Sequence, residues 1–180
     1  MTADDWGALA LVLLGFAVLC SAAAWTTAGR RIWAPISLVV LATSAVVAAT
    51  PDQVTVDGRA ATALLVALGG ALAIAGGGPV TGLVFDLVDR RQPSAGSLDH
   101  AGQVLRGGAW IGALERAAIF ATLAAGWPEG LAVVLALKGL GRYPELRAAE
   151  VGTAERFIIG TFTSVLWACA CAGVVALLLR

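Results

Sequence analysis

Glu115 with Arg116, Lys138 with Arg142, and Arg156 with Thr161 and Ser164 are the residues of this 180-residue chain whose types and surroundings could do chemistry. Each falls in or beside an apolar stretch. A charge at membrane depth costs about 2.5 to 3.5 kcal/mol on insertion scales, so it usually faces the bundle interior or a polar cavity, or pairs with another charge. A carboxylate among cations suits two tasks. It can clamp helices together as an ion pair, with the long basic side chains reaching for the interface or for lipid phosphates. It can also titrate or bind a cation in a polar pathway, with arginines available to hold a phosphate.

The elements that carry these residues follow from composition. Residues of the set AVILMFWYC make up 59% of the chain, charged residues 13%, and mean hydropathy is +0.86. Soluble domains are about 45 to 50% apolar and about 25% charged, and disorder needs low hydrophobicity with high net charge, so both are excluded. The 12 basic and 12 acidic residues cancel, which gives no reason to expect nucleic-acid binding. A hydrocarbon core of about 30 Å needs about 20 mostly apolar residues per helix. Trp6 to Trp25, Ile32 to Thr50 and Ala60 to Gly78 meet that standard without a charge. Ala109 to Trp127 contains Glu115 and Arg116, Gly130 to Tyr143 is short, and Phe157 to Leu179 is long and uncharged. The expected fold is all-α: a polytopic membrane protein of six transmembrane helices, one of them short. Met1 to Asp5 is acidic where a cleavable signal carries basic residues, so the first stretch is expected to remain as a helix.

Charge asymmetry sets the expected orientation. With both termini outside an inner (plasma) membrane, Arg30, Arg31, Arg90, Arg91, Arg106, Arg116, Lys138, Arg142, Arg147 and Arg156 lie toward the cytoplasm, leaving Arg59 and Arg180 outside. Aromatic residues agree, with Trp6 and Trp127 at the outer interface and Trp25, Trp33, Trp110 and Tyr143 at the inner one. The chain then divides into a three-helix half (1–78), a cytoplasmic connection (79–108) and a second three-helix half with the charged motifs (109–180). In the connection, Val80, Leu83, Val84, Leu87 and Val88 recur at helical spacing, which predicts an amphipathic helix on the membrane surface. Continuation of the third span past a glycine kink is the alternative. Gln92 to Ser97 has turn composition, and the single histidine, His100, reads as solvated surface. The stripes Ala63, Ala67, Ala71, Ala75 and Gly160, Ser164, Ala168, Ala172, Ala176 read as close-packing faces, within one bundle or between copies.

Depth counting brings the charges together. From the turn near Trp127 to Gly130, Glu115 lies about 18 Å inward, Lys138 about 12 Å and Arg142 about 18 Å. Glu115 should therefore lie level with Arg142 and within reach of Lys138, with Arg156, Thr161 and Ser164 entering from the same cytoplasmic end. The short fifth segment, with Gly139 and Gly141 before Pro144, suggests irregular backbone at depth, which needs protein or water around it.

Three ordered segments carry a resemblance: Gly108-Ala109-Trp110-Ile111-Gly112-Ala113-Leu114-Glu115-Arg116, Lys138-Gly139-Leu140-Gly141-Arg142-Tyr143-Pro144-Glu145, and Glu155-Arg156-Phe157-Ile158-Ile159-Gly160-Thr161-Phe162-Thr163-Ser164. Over about Ala101 to Ala170 the chain resembles a family of bacterial integral-membrane proteins of unknown function. In that family a G-x-x-I-G-x-L-E-R helix, a K-x-x-x-R-[FY]-x-E segment and an E-[RY]-F-x-I-G-T-x-x-S helix occur in this order. The resemblance adds Glu145 and Glu155 to the candidate ion or headgroup site, and it implies no activity.

Several chemistries lack their residues. Gly76-Gly77-Gly78-Pro79 has no following lysine and is no phosphate loop, and H-E-x-x-H, G-x-S-x-G and C-x-x-C are absent. Cys20, Cys169 and Cys171 are spaced for neither a disulfide nor zinc, so no metal and no cofactor are expected. The leading expectation is a small oligomeric transporter or channel subunit with a cytoplasm-facing Glu/Arg/Lys site. The first alternative is a structural or scaffolding membrane protein held by an ion-pair clamp. The second is a lipid-headgroup enzyme, although an enzyme is the less expected class. Expected partners are membrane lipids with anionic headgroups and either further copies of the chain or another membrane protein, and not nucleic acid.

Overall fold

The computed structural model describes residues 3–49, 56, 58–91, 108–148 and 153–180, and every regular element among them is a helix. In chain order these are α1 (Ala3–Ala23), α2 (Thr27–Ala49), α3 (Arg59–Arg91), α4 (Gly108–Ala124), α5 (Gly130–Gly141), α6 (Tyr143–Ala148) and α7 (Thr153–Leu178). Four regions are long and apolar enough to cross a membrane by length and composition: Asp5–Ala23, Thr27–Ala49, Arg59–Asp89 and Ala154–Leu178. The chain is thus an all-α polytopic membrane protein. α4 has 17 residues and α5 has 12, about 26 and 18 Å of helix. The expectations for Gln92 to Ser97, His100 and Arg106 lie outside the described residues.

α3 is the hub of the bundle. It packs against α1, α2, α4 and α7, whereas α5 lies mainly along α4. Leu14 of α1, Leu65 and Leu72 of α3, Ile119 of α4 and Val175 of α7 are fully buried in the shared core. The two small-residue stripes behave differently. Ser164, Ala168 and Ala172 are buried inside the bundle, while Ala63, Ala67 and Ala71 are exposed on the outer face of α3. Arg59, Thr62, Ala63, Val66 and Ala67 line an open groove there.

The Gly-Gly-Gly-Pro segment does not end the third span. α3 runs unbroken from Arg59 to Arg91 with Pro79 inside it, so the stretch after Pro79 is a continuation of that helix rather than a separate one lying on the membrane surface. The reason is local. A proline lacks its N–H and frees the carbonyl four residues earlier, here that of Ala75. In lipid that carbonyl must find another donor within the protein. The indole N–H of Trp25 supplies it, donating to Ala75 O at 3.1 Å. Nearby carbonyls also receive side-chain donors: Leu72 O from Trp167 Nε1 at 3.1 Å, and Gly77 O from the Thr81 hydroxyl at 2.7 Å.

The three glycines make this possible. A Cβ on Gly76 would stand 2.3 Å from the Trp167 ring, and one on Gly77 2.3 Å from Arg116 Cδ. One on Gly78 would stand 3.3 Å from the Trp25 ring. Glycine is required because the donors must lie flat against the helix backbone.

Two outcomes follow for stability measured by thermal unfolding in detergent. Gly76→Ala must displace Trp167 and should cost about 1 to 3 kcal/mol, as overpacking does. Gly139→Ala, where a Cβ meets nothing within 4 Å, should be neutral or stabilising by up to about 1 kcal/mol. Equal melting points for the two variants would contradict the packing described.

Candidate functional site

Glu115 and Arg116 are sequence neighbours on α4, so their side chains leave the helix about 100° apart and reach different partners. Glu115 faces α5 and forms an ion pair with Lys138, both side chains being mostly buried. A tight turn sets this register. Gly126 adopts a φ of +70°, Trp127 N–H donates to Thr122 O at 2.8 Å, and Gly130 is buried where a Cβ would strike Thr122. Counted from the helix ends at Ala124 and Gly130, Glu115 and Lys138 lie at nearly the same depth, about 12 to 14 Å, so Glu115 is level with Lys138 and not, as expected, with Arg142. Lys138 also lies over the Phe157 ring of α7, 6.0 Å from its centroid.

Arg116 faces the other way, into the core, and is only 4% exposed. Its Nε and Nη2 donate to Ile74 O of α3 at 3.1 and 2.9 Å, and its Nη1 donates to the Ser164 hydroxyl of α7 at 3.2 Å. One guanidinium thereby joins three helices. Its stem lies against Gly77, which explains the close approach of α4 to α3.

Arg156 pairs with Asp89 near the far end of α3, and its guanidinium lies 5.6 Å from the centroid of the Phe85 ring. A second bridge there joins Arg30 of α2 to Asp86, with Nε and Nη2 each 3.1 Å from a carboxylate oxygen. These acids sit on the predicted polar face of the segment after Pro79. They are not a purely solvated face, because α2 and α7 present arginines to them.

The candidates therefore divide among distinct partners. Glu115 joins Lys138, Arg116 joins Ser164, and Arg156 joins Asp89. The Thr161 hydroxyl is buried on α7 without a hydrogen-bond partner among the described residues. Arg142 closes α5, its backbone N–H donating to Lys138 O at 3.2 Å. Glu155 is exposed in the first turn of α7, and the side chain of Glu145 lies outside the described residues. No group of three or more His, Cys, Asp or Glu residues that could hold a metal occurs among the described residues.

Sequence reasoning missed Asp86, Asp89, Arg30 and the two indole donors. Trp25 reads as an interface residue from its position at the end of a span, yet it also completes the α3 backbone. For Trp167 a signal existed: an indole N–H in the middle of an apolar span demands an acceptor. Comparison with family models, curated proteins and solved structures finds no match to this chain. The resemblance drawn above rests on its motifs alone.

The proline argument generates a double-variant outcome. Trp25→Phe leaves Ala75 O without its donor and should lower stability by about 1 to 3 kcal/mol. In a Pro79→Ala background the residue-79 N–H can serve Ala75 O, so the same Trp25→Phe change should cost much less. Unfolding of the four proteins in a double-mutant cycle checks this, and purely additive effects would refute it.

Proposed function

We propose that this chain is a structural subunit of the inner membrane, in which the charges of the spans act as clamps that fix helix register. The observation that carries this reading is the pairing itself. Glu115 to Lys138, Arg30 to Asp86 and Arg156 to Asp89 each join two different helices, and Arg116 joins three. For the sheltered Glu115–Lys138 pair, removing one partner is far more damaging than the pair is stabilising, because it strands a charge away from water. Those seven charged side chains all reach from one helix to another, an arrangement suited to a fixed bundle.

The orientation proposed places both termini outside and the Arg30–Asp86 and Arg156–Asp89 end of α3 in the cytoplasm, where Arg31 and Arg147 stand exposed. Such cations attract anionic headgroups, by about 1 kcal/mol each. Self-association is proposed through the exposed Ala63, Ala67 and Ala71 face, since small residues allow close helix approach in lipid. A second reading, a transporter or channel subunit that handles an ion near Arg116, is favoured by one observation: the buried Thr161 hydroxyl beside this charged region has no partner.

Charge exchange tests the clamp. Glu115→Lys alone and Lys138→Glu alone should each lower stability by about 1 to 3 kcal/mol, between the exposed and fully buried cases. The double exchange should recover most of the loss, as read by thermal unfolding and by folded yield from membranes. A Glu115→Gln protein that stays fully stable but changes ion flux into proteoliposomes would overturn the clamp in favour of the pathway.

A further inference from the structure

The bundle interior carries one positive charge more than it neutralises around α4. Glu115 is engaged by Lys138 of α5, and those two charges cancel. Arg116 has only neutral partners, a backbone carbonyl and a hydroxyl, although it is nearly completely buried. A guanidinium has five N–H donors. Three are engaged, Nε and one on each Nη, which leaves two without an acceptor among the described residues. Glu115 acts on Arg116 only through space while paired with Lys138, and a buried cation without an ion-pair contact of its own is costly, a cost that a bound anion relieves.

The adjoining face of α7 supplies a further donor. Phe157, Thr161 and Ser164 follow at four- and three-residue steps and share one side of the helix. The first lies by Lys138 and the last bonds to Arg116. Thr161, between them, has a hydroxyl oxygen that is buried and has no partner. Threonines in helices commonly donate back along the helix, as Thr163 does to Ile159 O at 2.8 Å. The Thr161 hydroxyl does not. The region thus combines, among the described residues, a net positive charge, two unused guanidinium donors and one unused hydroxyl where α4 and α7 meet beside α3. Glu115 is the acid nearest in sequence, and it is already paired.

We propose that a small monovalent inorganic anion of chloride size binds between Arg116 and Thr161, on the inner side of the Glu115–Lys138 pair. The close fit of Arg116 against Gly77, and the 3.1 Å between its Nη1 and a Cβ placed on Gly112, favour a monatomic ion over a phosphate. The anion completes the charge balance of the α4, α5 and α7 corner and so belongs to the folded bundle, whether or not it also moves through it.

The test is ligand-dependent stability of the full chain in nanodiscs of a zwitterionic lipid, read by tryptophan fluorescence during heating. Ionic strength is held constant while chloride replaces gluconate. Chloride should raise the melting midpoint by several degrees in a saturable manner. Thr161→Val, which keeps shape and removes the hydroxyl, should weaken the apparent chloride affinity about tenfold. Thr163→Val, whose hydroxyl already has a backbone partner, should leave it unchanged. Arg116→Lys, which keeps the charge but has fewer donors, should weaken it further, and the threonine variants keep the test valid if that protein fails to fold. The proposal is overturned if the midpoint is the same in chloride and gluconate, or if Thr161→Val titrates like the parent. It is also overturned if stabilisation arises only from anionic lipid, since the ligand is then a headgroup. Failure of the charge exchange at Glu115 and Lys138 would leave this outcome unaffected.

Discussion

The rest of the structure depends on one constraint, that no backbone carbonyl of α3 can be left to lipid. Pro79 withdraws a donor in the middle of the longest helix, and hydrocarbon offers no replacement. The replacement comes from Trp25, while Trp167 and Arg116 add donors to Leu72 O and Ile74 O one turn earlier. These three side chains come from the α1–α2 junction, from α7 and from α4. Satisfying a short run of backbone therefore fixes the helices around α3, and the glycines at 76, 77 and 78 exist in this arrangement as the space the donors occupy.

The same arrangement explains why an arginine is tolerated in the core. A buried guanidinium needs acceptors, and the second lone pair of a helical carbonyl serves a donor from another helix only where the backbone can be approached. Gly77 removes the side chain that would keep Arg116 away from Ile74 O. Lysine, with a single ammonium, could not span the Ile74 carbonyl and the Ser164 hydroxyl at once. The residue is thus matched to a carbonyl on one helix and a hydroxyl on another, while its charge is left for something else to balance.

At the proposed cytoplasmic end the logic changes from hydrogen bonds to ion pairs. α3 continues past Pro79, and Asp86 and Asp89 there meet Arg30 from the start of α2 and Arg156 from the start of α7. These pairs are more exposed than Glu115 and Lys138, so water and salt weaken them. They guide helix starts rather than supply much stability. The Glu115–Lys138 pair is more sheltered, and it is the chief charged contact of the short helix α5, which otherwise leans on α4.

The sequence by itself determined the class, because composition and hydropathy alone state the solvent, and it determined most helix positions to within a turn or two. It also put Lys138 within reach of Glu115, although counting from the turn set Glu115 level with Arg142 and the structure pairs it with Lys138. Three matters were decided only by tertiary structure. Gly76 to Pro79 reads locally as a helix end, and only donors from other helices make it continuous. Glu115 and Arg116 read as one cluster, yet they leave the helix about 100° apart, and only the placement of α5 and α3 gives each its separate partner. Asp86 and Asp89 fall off the apolar stripe of their segment, and only the approach of α2 and α7 makes them ion-paired. For Ala75, Arg116, Asp86 and Asp89 the deciding group lies more than forty residues away along the chain, as with Trp25 and Ala75 at a separation of 50 residues, so local spacing holds no trace of it.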